Sequence, residues 1–174
     1  SRDDTRHRPN SQAAAYNDDD MTQTTKGIGI KRLQHIVLYV SNVERSVRFY
    51  CDVLGFEVSR QRPGAAFLHL PHNDVDHDLG LFEQPGARQP DERTARLYHA
   101  AWEVGDITDL RIAQQKLAEA GALVGASNHG TSLSLYAIDP DGLEFEVFWM
   151  IPGGKSGQRS ALDLEGEIAR RGAR

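Results

Sequence analysis

The sequence has 174 residues, the length of one ordinary domain with a tail. Its 20 Lys and Arg against 25 Asp and Glu give a net charge of -5, which argues against nucleic-acid binding through a bulk basic surface. No apolar run approaches the roughly 18 residues of a membrane span, and no signal-peptide pattern precedes the first elements, so we expect a cytoplasmic protein that does not bind membranes.

The ratio of histidine to cysteine is the most informative number in the composition. There are seven histidines and a single cysteine, Cys51. One cysteine excludes an intrachain disulfide framework and thiolate zinc sites. Any bound metal would therefore be held by imidazole and carboxylate groups.

Composition and pattern divide the chain into three parts. Residues 1–30 are polar and lack periodicity, which predicts a tail without stable structure. Residues 31–150 form the predicted domain, with a weak internal repeat over about 31–84 and 96–150. Residues 151–174 form an extension in which Leu and Ile among charges predict a short peripheral helix.

The first half opens with a buried strand and continues with a helix. Leu33–Val40 is β-branched and apolar on both faces, as buried strands are. Ser41 and Glu44 form a capping-box pattern, and Gly55 supplies the helix stop. Three further strands are predicted at 56–58, 65–70 and 78–83.

The second half repeats this order. Leu97–Val104 is a predicted strand, and a helix that Asp106 or Thr108 can cap follows and ends at Gly121. Two strands, at 132–138 and 144–149, complete the half. The turn at 139–142, which contains Pro-Asp-Gly, joins them. His35 and His99 hold the same place in the two halves, at the third residue of the first strand.

Four segments carry a resemblance to a known family: His35–Val40, Glu44–Tyr50, Val53–Phe56 and Tyr136–Glu146. The chain resembles the vicinal oxygen chelate superfamily, which includes glyoxalase I, bleomycin-resistance proteins, fosfomycin-resistance enzymes and type I extradiol dioxygenases. The resemblance is nearest to the extradiol enzymes in a single two-repeat form. It implies an α+β fold in which two βαβββ repeats form a curved mixed sheet around a metal site.

Three side chains are predicted as metal ligands: His35, His99 and Glu146. Two neutral imidazoles and one carboxylate form the facial triad suited to Fe(II), with Mn(II) as the alternative. Glu144 competes for the carboxylate role, but the family pattern places the ligand four residues after Gly142 and so selects Glu146; an exposed Glu144 needs no function. The alternative interpretation is that each histidine is a hydrogen-bonded core residue.

Three further residues are predicted to be catalytic from the resemblance: His77, His129 and Tyr136. It implies that His77 serves as acid–base and dioxygen stabiliser, while Tyr136 and His129 hydrogen-bond the hydroxyl oxygens of the substrate. Tyr136 lies ten residues before Glu146, the extradiol spacing. Each residue also has a plain interpretation, as a solvated loop histidine, a turn residue and a strand aromatic respectively.

The preferred hypothesis is Fe(II)-dependent extradiol cleavage of a catechol by O₂, in a homo-oligomer whose partners include no nucleic acid. The alternatives are fosfomycin-type thiol transfer, a glyoxalase-like lyase and a non-enzymatic drug-binding protein. Residues 126–132 lack the lysine of the transferases, and Leu79–Phe82 lacks the carboxylate that glyoxalase I uses as a fourth ligand. Intact ligands argue against the non-enzymatic binder.

Overall fold

A computed structural model describes residues 28–88, 93–157 and 159–171. The chain divides into two units, Ser1–Leu33 and Gln34–Arg174. The described residues of the first unit form neither helix nor strand, and most of the predicted tail lies outside the described residues. All described helices and strands belong to the second unit.

The first repeat consists of β1 (Ile36–Val40), α1 (Val43–Leu54), β2 (Glu57–Arg62), β3 (Ala65–His69) and β4 (Leu79–Glu83). Its four strands form one sheet in the order β1-β4-β3-β2. β1 runs parallel to β4, because the helix crosses over between them, and the other pairs are antiparallel.

The second repeat consists of β5 (Ala100–Glu103), α2 (Ile107–Glu119), β6 (Leu123–Asn128), β7 (Ser132–Ile138) and β8 (Glu144–Met150). The C-terminal extension adds β9 (Ser160–Ala161) and α3 (Leu164–Arg171). The second sheet has the order β5-β8-β7-β6-β9, so its first four strands repeat the order of the first sheet. The predicted α+β class and the two βαβββ repeats are confirmed, and each repeat forms a sheet of its own.

Both leading strands begin later than the sequence pattern predicts. β1 starts at Ile36 rather than Leu33, because the Ile36 amide makes the first inter-strand bond, to the carbonyl of Asp78 at 3.0 Å. Leu33 is 81% exposed and contributes nothing to the core. β5 likewise starts at Ala100. His35 and His99 therefore immediately precede their strands, and they remain equivalent to each other.

The capping residue of α1 is Asn42, and the prediction of Ser41 is wrong. The side-chain oxygen of Asn42 accepts a hydrogen bond from the Arg45 amide at 2.8 Å, as an N-cap does. Ser41 instead donates its hydroxyl to Asp141 at 2.6 Å. The predicted stop at Gly55 is confirmed, since this residue has φ of 76°.

The second repeat contains a strand that the sequence pattern does not reveal. β6 runs through Val124-Gly125-Ala126-Ser127, whose small residues show no alternation of apolar and polar side chains. It forms because β7 lies beside it, with an irregularity between Leu123 and Gly125. Of the two alternatives for the α2 cap, the structure selects Asp106, which accepts from the Thr108 amide at 2.7 Å.

The core forms two clusters, one between each sheet and its helix. The first contains fully buried leucines 68, 79 and 81, and the second contains fully buried leucines 110, 117, 133 and 135. Phe49 and Trp102 pack against both clusters, so the two repeats share one continuous apolar contact. Leu164 and Ile168 bury the inner side of α3 against the second cluster. None of the described helices has the length and apolar character that crossing a membrane requires.

Candidate metal and substrate site

Strand register places three of the six predicted site residues on the open face of the second sheet. Ala101 pairs with Glu146, and Glu146 pairs with Tyr136, so the side chains of this row point to the same face. His99 precedes Ala101 by two residues and shares that face. The opposite side of each strand carries residues that pack in the core, such as Trp102 and Phe145.

His99 lies between two carboxylates. Its Nε2 atom is 3.2 Å from Glu146 Oε2, and its Nδ1 atom is 3.8 Å from Glu144 Oε1. Nδ1 is buried and has no hydrogen-bond partner among the described residues. A buried ring nitrogen without a partner, beside a ring nitrogen that faces a carboxylate, is the environment of a histidine that binds a further group.

Glu144 is not the exposed residue that the sequence pattern suggests. Its side chain is 26% exposed, and it approaches His99 on the side opposite to Glu146. It also hydrogen-bonds Tyr98, whose pKa is raised by this bond and by the charge of the carboxylate. The 3.8 Å separation is longer than a hydrogen bond, so Glu144 lies beside Nδ1 without binding it, while Glu146 faces Nε2.

His129 and Tyr136 form a pair on the same sheet. His129 Nε2 lies 2.9 Å from the hydroxyl of Tyr136, within hydrogen-bond distance. The ring of Tyr136 is 6.0 Å from the ring of His99, centre to centre. Burial and the charge of Glu146 raise the pKa of the Tyr136 phenol, and the Arg159 guanidinium, 5.5 Å above the ring, opposes this. The phenol is thus kept protonated and able to donate.

The remaining two predicted residues lie together on the first sheet. The rings of His35 and His77 are 4.5 Å apart, and Phe67 packs edge-on against His77 at 5.1 Å. His77 Nδ1 lies 2.7 Å from Asp76 Oδ2, and this hydrogen bond lowers the pKa of Asp76, helped by the charge of Arg60. The other ring nitrogen of His77 is left to exchange a proton.

The predicted triad is not assembled within one chain. Among the described residues, no group of three or more His, Cys, Asp or Glu side chains is placed so as to hold a metal ion. The donor chemistry of His99 and Glu146 suits a divalent metal, but His35 lies with His77 on the other sheet. The expected convergence of His35 and His99 is therefore not found in the single chain, and their roles as ligands remain predictions.

The first sheet has no counterpart of the carboxylate. His35 precedes Val37 by two residues, as His99 precedes Ala101, and Val37 pairs with Gly80. Gly80 in turn pairs with Phe67, so glycine and phenylalanine stand where the second repeat has glutamate and tyrosine. A Cβ at Gly80 would lie 3.2 Å from the Val37 side chain, so this position is already filled.

A cavity of about 640 Å³ borders the His99 group through Tyr98 and Glu144, which both lie beside His99. It is lined by core-facing residues of the two leading strands, including Leu38 of β1 and Trp102 of β5, and by none of the six predicted site residues. We therefore assign the candidate chemistry to the open sheet faces, where the histidines are, rather than to this cavity.

Comparison with known proteins fixes the family. The model of the Glyoxalase/Bleomycin resistance protein/Dioxygenase superfamily matches residues 32–147. The chain belongs to this superfamily. The predicted resemblance is thereby confirmed, and so is the fold that it implies.

Two relatives within the superfamily have different activities in their names. Catechol-2,3-dioxygenase from Bacillus subtilis (strain 168) is 34% identical over 145 residues, which are 78% of this chain and 50% of the relative. Glutathione transferase FosA from Serratia marcescens is 29% identical over 119 residues, which are 68% of this chain and 80% of the relative. The chain thus spans about half the length of the Bacillus relative.

A solved superfamily structure shows the same fold. The crystal structure of a glyoxalase/dioxygenase from Nostoc punctiforme matches with a TM-score of 0.60 at 24% identity, over 71% of this chain and 94% of that chain. At this identity the likeness concerns the fold alone.

Sequence reasoning did not identify Arg159 as a neighbour of Tyr136. The residue lies in the C-terminal extension, where it donates from Nε to the Ser127 hydroxyl at 2.8 Å and covers the Tyr136 ring. It reaches this place because β9, which follows it directly, pairs with β6. No local sequence signal marks it, because the pairing of two-residue β9 is decided by tertiary contacts.

Proposed function

We propose that the chain is an extradiol dioxygenase that cleaves the ring of a catechol-type aromatic diol with O₂, using Fe(II), with Mn(II) as the alternative metal. The observation that carries the proposal is the placement of the His129–Tyr136 pair beside the facing side chains of His99 and Glu146 on one sheet. A divalent metal would supply the Lewis acidity and electron transfer that side chains cannot provide.

The residues of the second sheet suit recognition of a phenolic substrate. Tyr136, held protonated, can donate a hydrogen bond to a substrate hydroxyl oxygen and stabilise negative charge that develops there. His129 accepts or donates at the Tyr136 hydroxyl and so fixes its direction. Arg159 adds a positive charge behind the same ring, which favours an anionic substrate oxygen on its far side.

His77 is suited to proton transfer. Its Nδ1 lies 2.7 Å from Asp76 Oδ2, so the carboxylate sets the orientation of the ring. Its side chain is only 16% exposed, and the packing against Phe67 restricts its motion. We assign it the acid–base role, which requires one free ring nitrogen and access to solvent through the neighbouring carboxylate.

Thiol transfer of the fosfomycin type is the second candidate. It is considered because the relative named glutathione transferase FosA is 29% identical over 119 residues of this chain. Residues 126–132 contain no lysine, which argues against it. A glyoxalase-like lyase has less support, because Gly80 occupies the position opposite Val37 and the Glu83 carboxylate already accepts from the Val43 amide at 2.9 Å.

The deciding experiment supplies metal and substrate separately. Full-length protein is loaded anaerobically with Fe(II) or Mn(II), mixed with each of a panel of catechols, and exposed to O₂ while oxygen uptake and the yellow ring-fission product are recorded. Fosfomycin with glutathione is assayed in parallel, and His99→Ala serves as the inactive control. Loaded protein that consumes no O₂ with any catechol and conjugates fosfomycin would replace the first proposal with the second.

A further inference from the structure

The C-terminal extension places an arginine over the open face of the second sheet. β9 pairs with the end of β6, so that Ser127 lies opposite Ala161 and Asn128 lies opposite Ser160. Arg159 directly precedes β9, and its Nε atom donates to the hydroxyl of Ser127 at 2.8 Å. Ser127 is only 4% exposed, so the group that anchors the arginine is buried. The guanidinium is therefore held at one nitrogen by the sheet itself.

Further contacts fix the extension against the turn between β6 and β7. The side-chain amide of Asn128 donates to Glu167 of α3 at 3.1 Å. A Cβ added at Gly130 would collide with the carbonyl oxygen of Lys155, so the backbone of the extension lies directly against the turn. The extension thus contacts the residues on both sides of His129 and forms one wall of the proposed site.

The guanidinium acts on two phenol rings of this site. Its central carbon lies 5.5 Å from the centre of the Tyr136 ring, which lies 6.0 Å from the ring of His99. Tyr98 packs on His99 with ring centres 4.7 Å apart. A hydrogen bond to Glu144 and the charge of that carboxylate raise the pKa of Tyr98, and the charge of Arg159 opposes them. Both aromatic neighbours of His99 thus lie in the field of one cation.

Arg159 has no acidic partner among the described residues, unlike the other described arginines of the extension. Arg170 and Arg171 lie 2.7 and 2.9 Å from the carboxylate of Glu167. Arg159 uses Nε for Ser127, and its two terminal nitrogens make neither a hydrogen bond nor an ion pair within the described part of the chain. The side chain is exposed. Its terminal nitrogens form a planar fork, and such a fork binds both oxygens of a carboxylate.

The charges around His99 make this fork decisive for an anionic ligand. Glu144 and Glu146 both approach His99, and their negative charges repel a further anion in the same region. Arg159 supplies the opposite charge beside Tyr136, at the other end of this group of side chains. An anionic substituent is therefore disfavoured near His99 and favoured near Arg159.

We propose that Arg159 determines substrate specificity by binding a carboxylate substituent of the aromatic diol. The substrate class is a dihydroxyaryl carboxylate, with its hydroxyl groups toward His99 and Tyr136 and its carboxylate at the Arg159 fork. This inference rests on the proposed function, because a diol bound beside Tyr136 brings its ring substituents to the arginine. The substrate class then depends on a segment that lies outside the two repeats.

The test compares ligands that differ in charge but hardly in shape. The probes are the two dihydroxybenzoates with adjacent hydroxyl groups, and the matched neutral probes are their primary amides. Calorimetry under nitrogen measures the binding of each probe to full-length protein loaded with Mn(II), at low and at high salt. At low salt, the better-bound acid should bind about 10-fold more tightly than its amide. This preference should shrink at high salt, because salt screens the attraction.

Three variants locate the origin of the preference. Arg159→Met keeps an unbranched side chain without the charge, so it should bind acid and amide equally while its affinity for the amide stays near that of wild type. Arg159→Lys keeps the charge without the fork and should retain part of the preference. Arg170→Met is the matched control, because it removes a positive charge from the same extension at a side chain that is 61% exposed, and it should keep the full preference. Circular dichroism verifies that each variant is folded.

Wild-type protein that binds the acids no more tightly than the amides overturns the inference. An Arg159→Met variant that weakens acid and amide equally also overturns it, since that result marks a structural role. Oxygen uptake by protein loaded with Fe(II) separates this inference from the proposed function. Cleavage of uncharged catechols with no preference for the acids supports the dioxygenase proposal and overturns the inference. A preference for the acids that Arg159→Met abolishes, without oxygen uptake, supports the carboxylate site and rejects the dioxygenase proposal.

Discussion

The Nε2 atom of His129 lies 2.9 Å from the hydroxyl of Tyr136 and so joins the turn after β6 to the middle of β7. The two residues are seven positions apart, and their strands are antiparallel neighbours. The position of each side chain therefore depends on the other, and the turn at His129 becomes part of the site.

Tyr136→Phe should lower kcat of the proposed dioxygenase reaction by about 100-fold, because it removes a donor aimed at developing charge. Metal content should be unchanged, since the hydroxyl is not a predicted ligand. Steady-state oxygen uptake measures kcat. Tyr50→Phe removes a hydroxyl that is bound to Asp139 at 3.1 Å and serves as the control, with lower stability and unchanged kcat. Equal kcat losses in the two variants would contradict the role of Tyr136.

Gly130→Ala should destabilise the fold by about 2–4 kcal/mol, since it combines backbone strain with a steric clash. Gly130 has φ of 78°, and a Cβ there would collide with the carbonyl oxygen of Lys155. Gly121→Ala is the matched control, because Gly121 has φ of 66° with no atom within 4 Å of the added carbon. It should cost only about 1 kcal/mol of strain. Urea unfolding measures both, and equal losses would show that the C-terminal segment does not restrain this turn.

Asp141→Asn should lower the free energy of unfolding near neutral pH by about 1–2 kcal/mol. It should also make this free energy less sensitive to acid. Burial alone would raise the pKa of Asp141, but hydrogen bonds from Ser41 and the charged Arg45 outweigh it and lower the pKa. A depressed carboxyl pKa stabilises the fold above the unfolded-state pKa, and this contribution disappears as pH falls through the folded-state pKa. Arg45 is 44% exposed, so screening keeps the effect small.

The measurement is the difference in unfolding free energy between wild type and Asp141→Asn from pH 7 down to pH 3. The difference should shrink below about pH 4 as Asp141 becomes protonated in the wild type. Asp139 has the opposite tendency, since burial raises its pKa, but it is present in both proteins. A difference that stays constant with pH would exclude the ionised form of Asp141 as the stabilising species.

Glu167→Gln should lower the local stability of α3 by about 1–3 kcal/mol. The Glu167 side chain is 9% exposed and accepts hydrogen bonds from Asn128 and Arg171 at 3.1 and 2.9 Å. Hydrogen exchange of α3 amides should accelerate. Glu165→Gln, at a side chain that is 70% exposed and 4.0 Å from Arg111, should change exchange very little. Similar exchange rates in the two variants would mean that the charge of Glu167 does not hold the helix.

Local chemistry made much of the fold predictable. The stop of α1 at Gly55, the turn from Asp139 to Gly142 and the strand Ser132–Ile138 are each specified by residues within a few positions of one another. The equivalence of His35 and His99 follows from the repeat itself and is independent of the strand boundaries. The helix cap was missed because Ser41 has a stronger partner in Asp141, 100 residues away.

The assembly of the site was less predictable, because it depends on how the sheets are placed and not on spacing. Sequence spacing identifies His35 as the partner of His99, yet the structure places it with His77. The approach of Glu144 to His99 and of Arg159 to Tyr136 depends on strand pairing and on the docking of the extension. No sequence motif marks either contact, so only the folded structure reveals them.

The bond between Ser41 and Asp141 also constrains how the chain reaches its folded state. Closing a flexible loop of 100 residues costs roughly 4 kcal/mol of chain entropy, so this contact forms late. The first repeat leaves the ribosome before Asp141 exists, so Ser41 and Arg45 then lack this partner. Newly made chains therefore pass through a stage in which the start of α1 is not yet held by the second repeat, and slower synthesis should lengthen it.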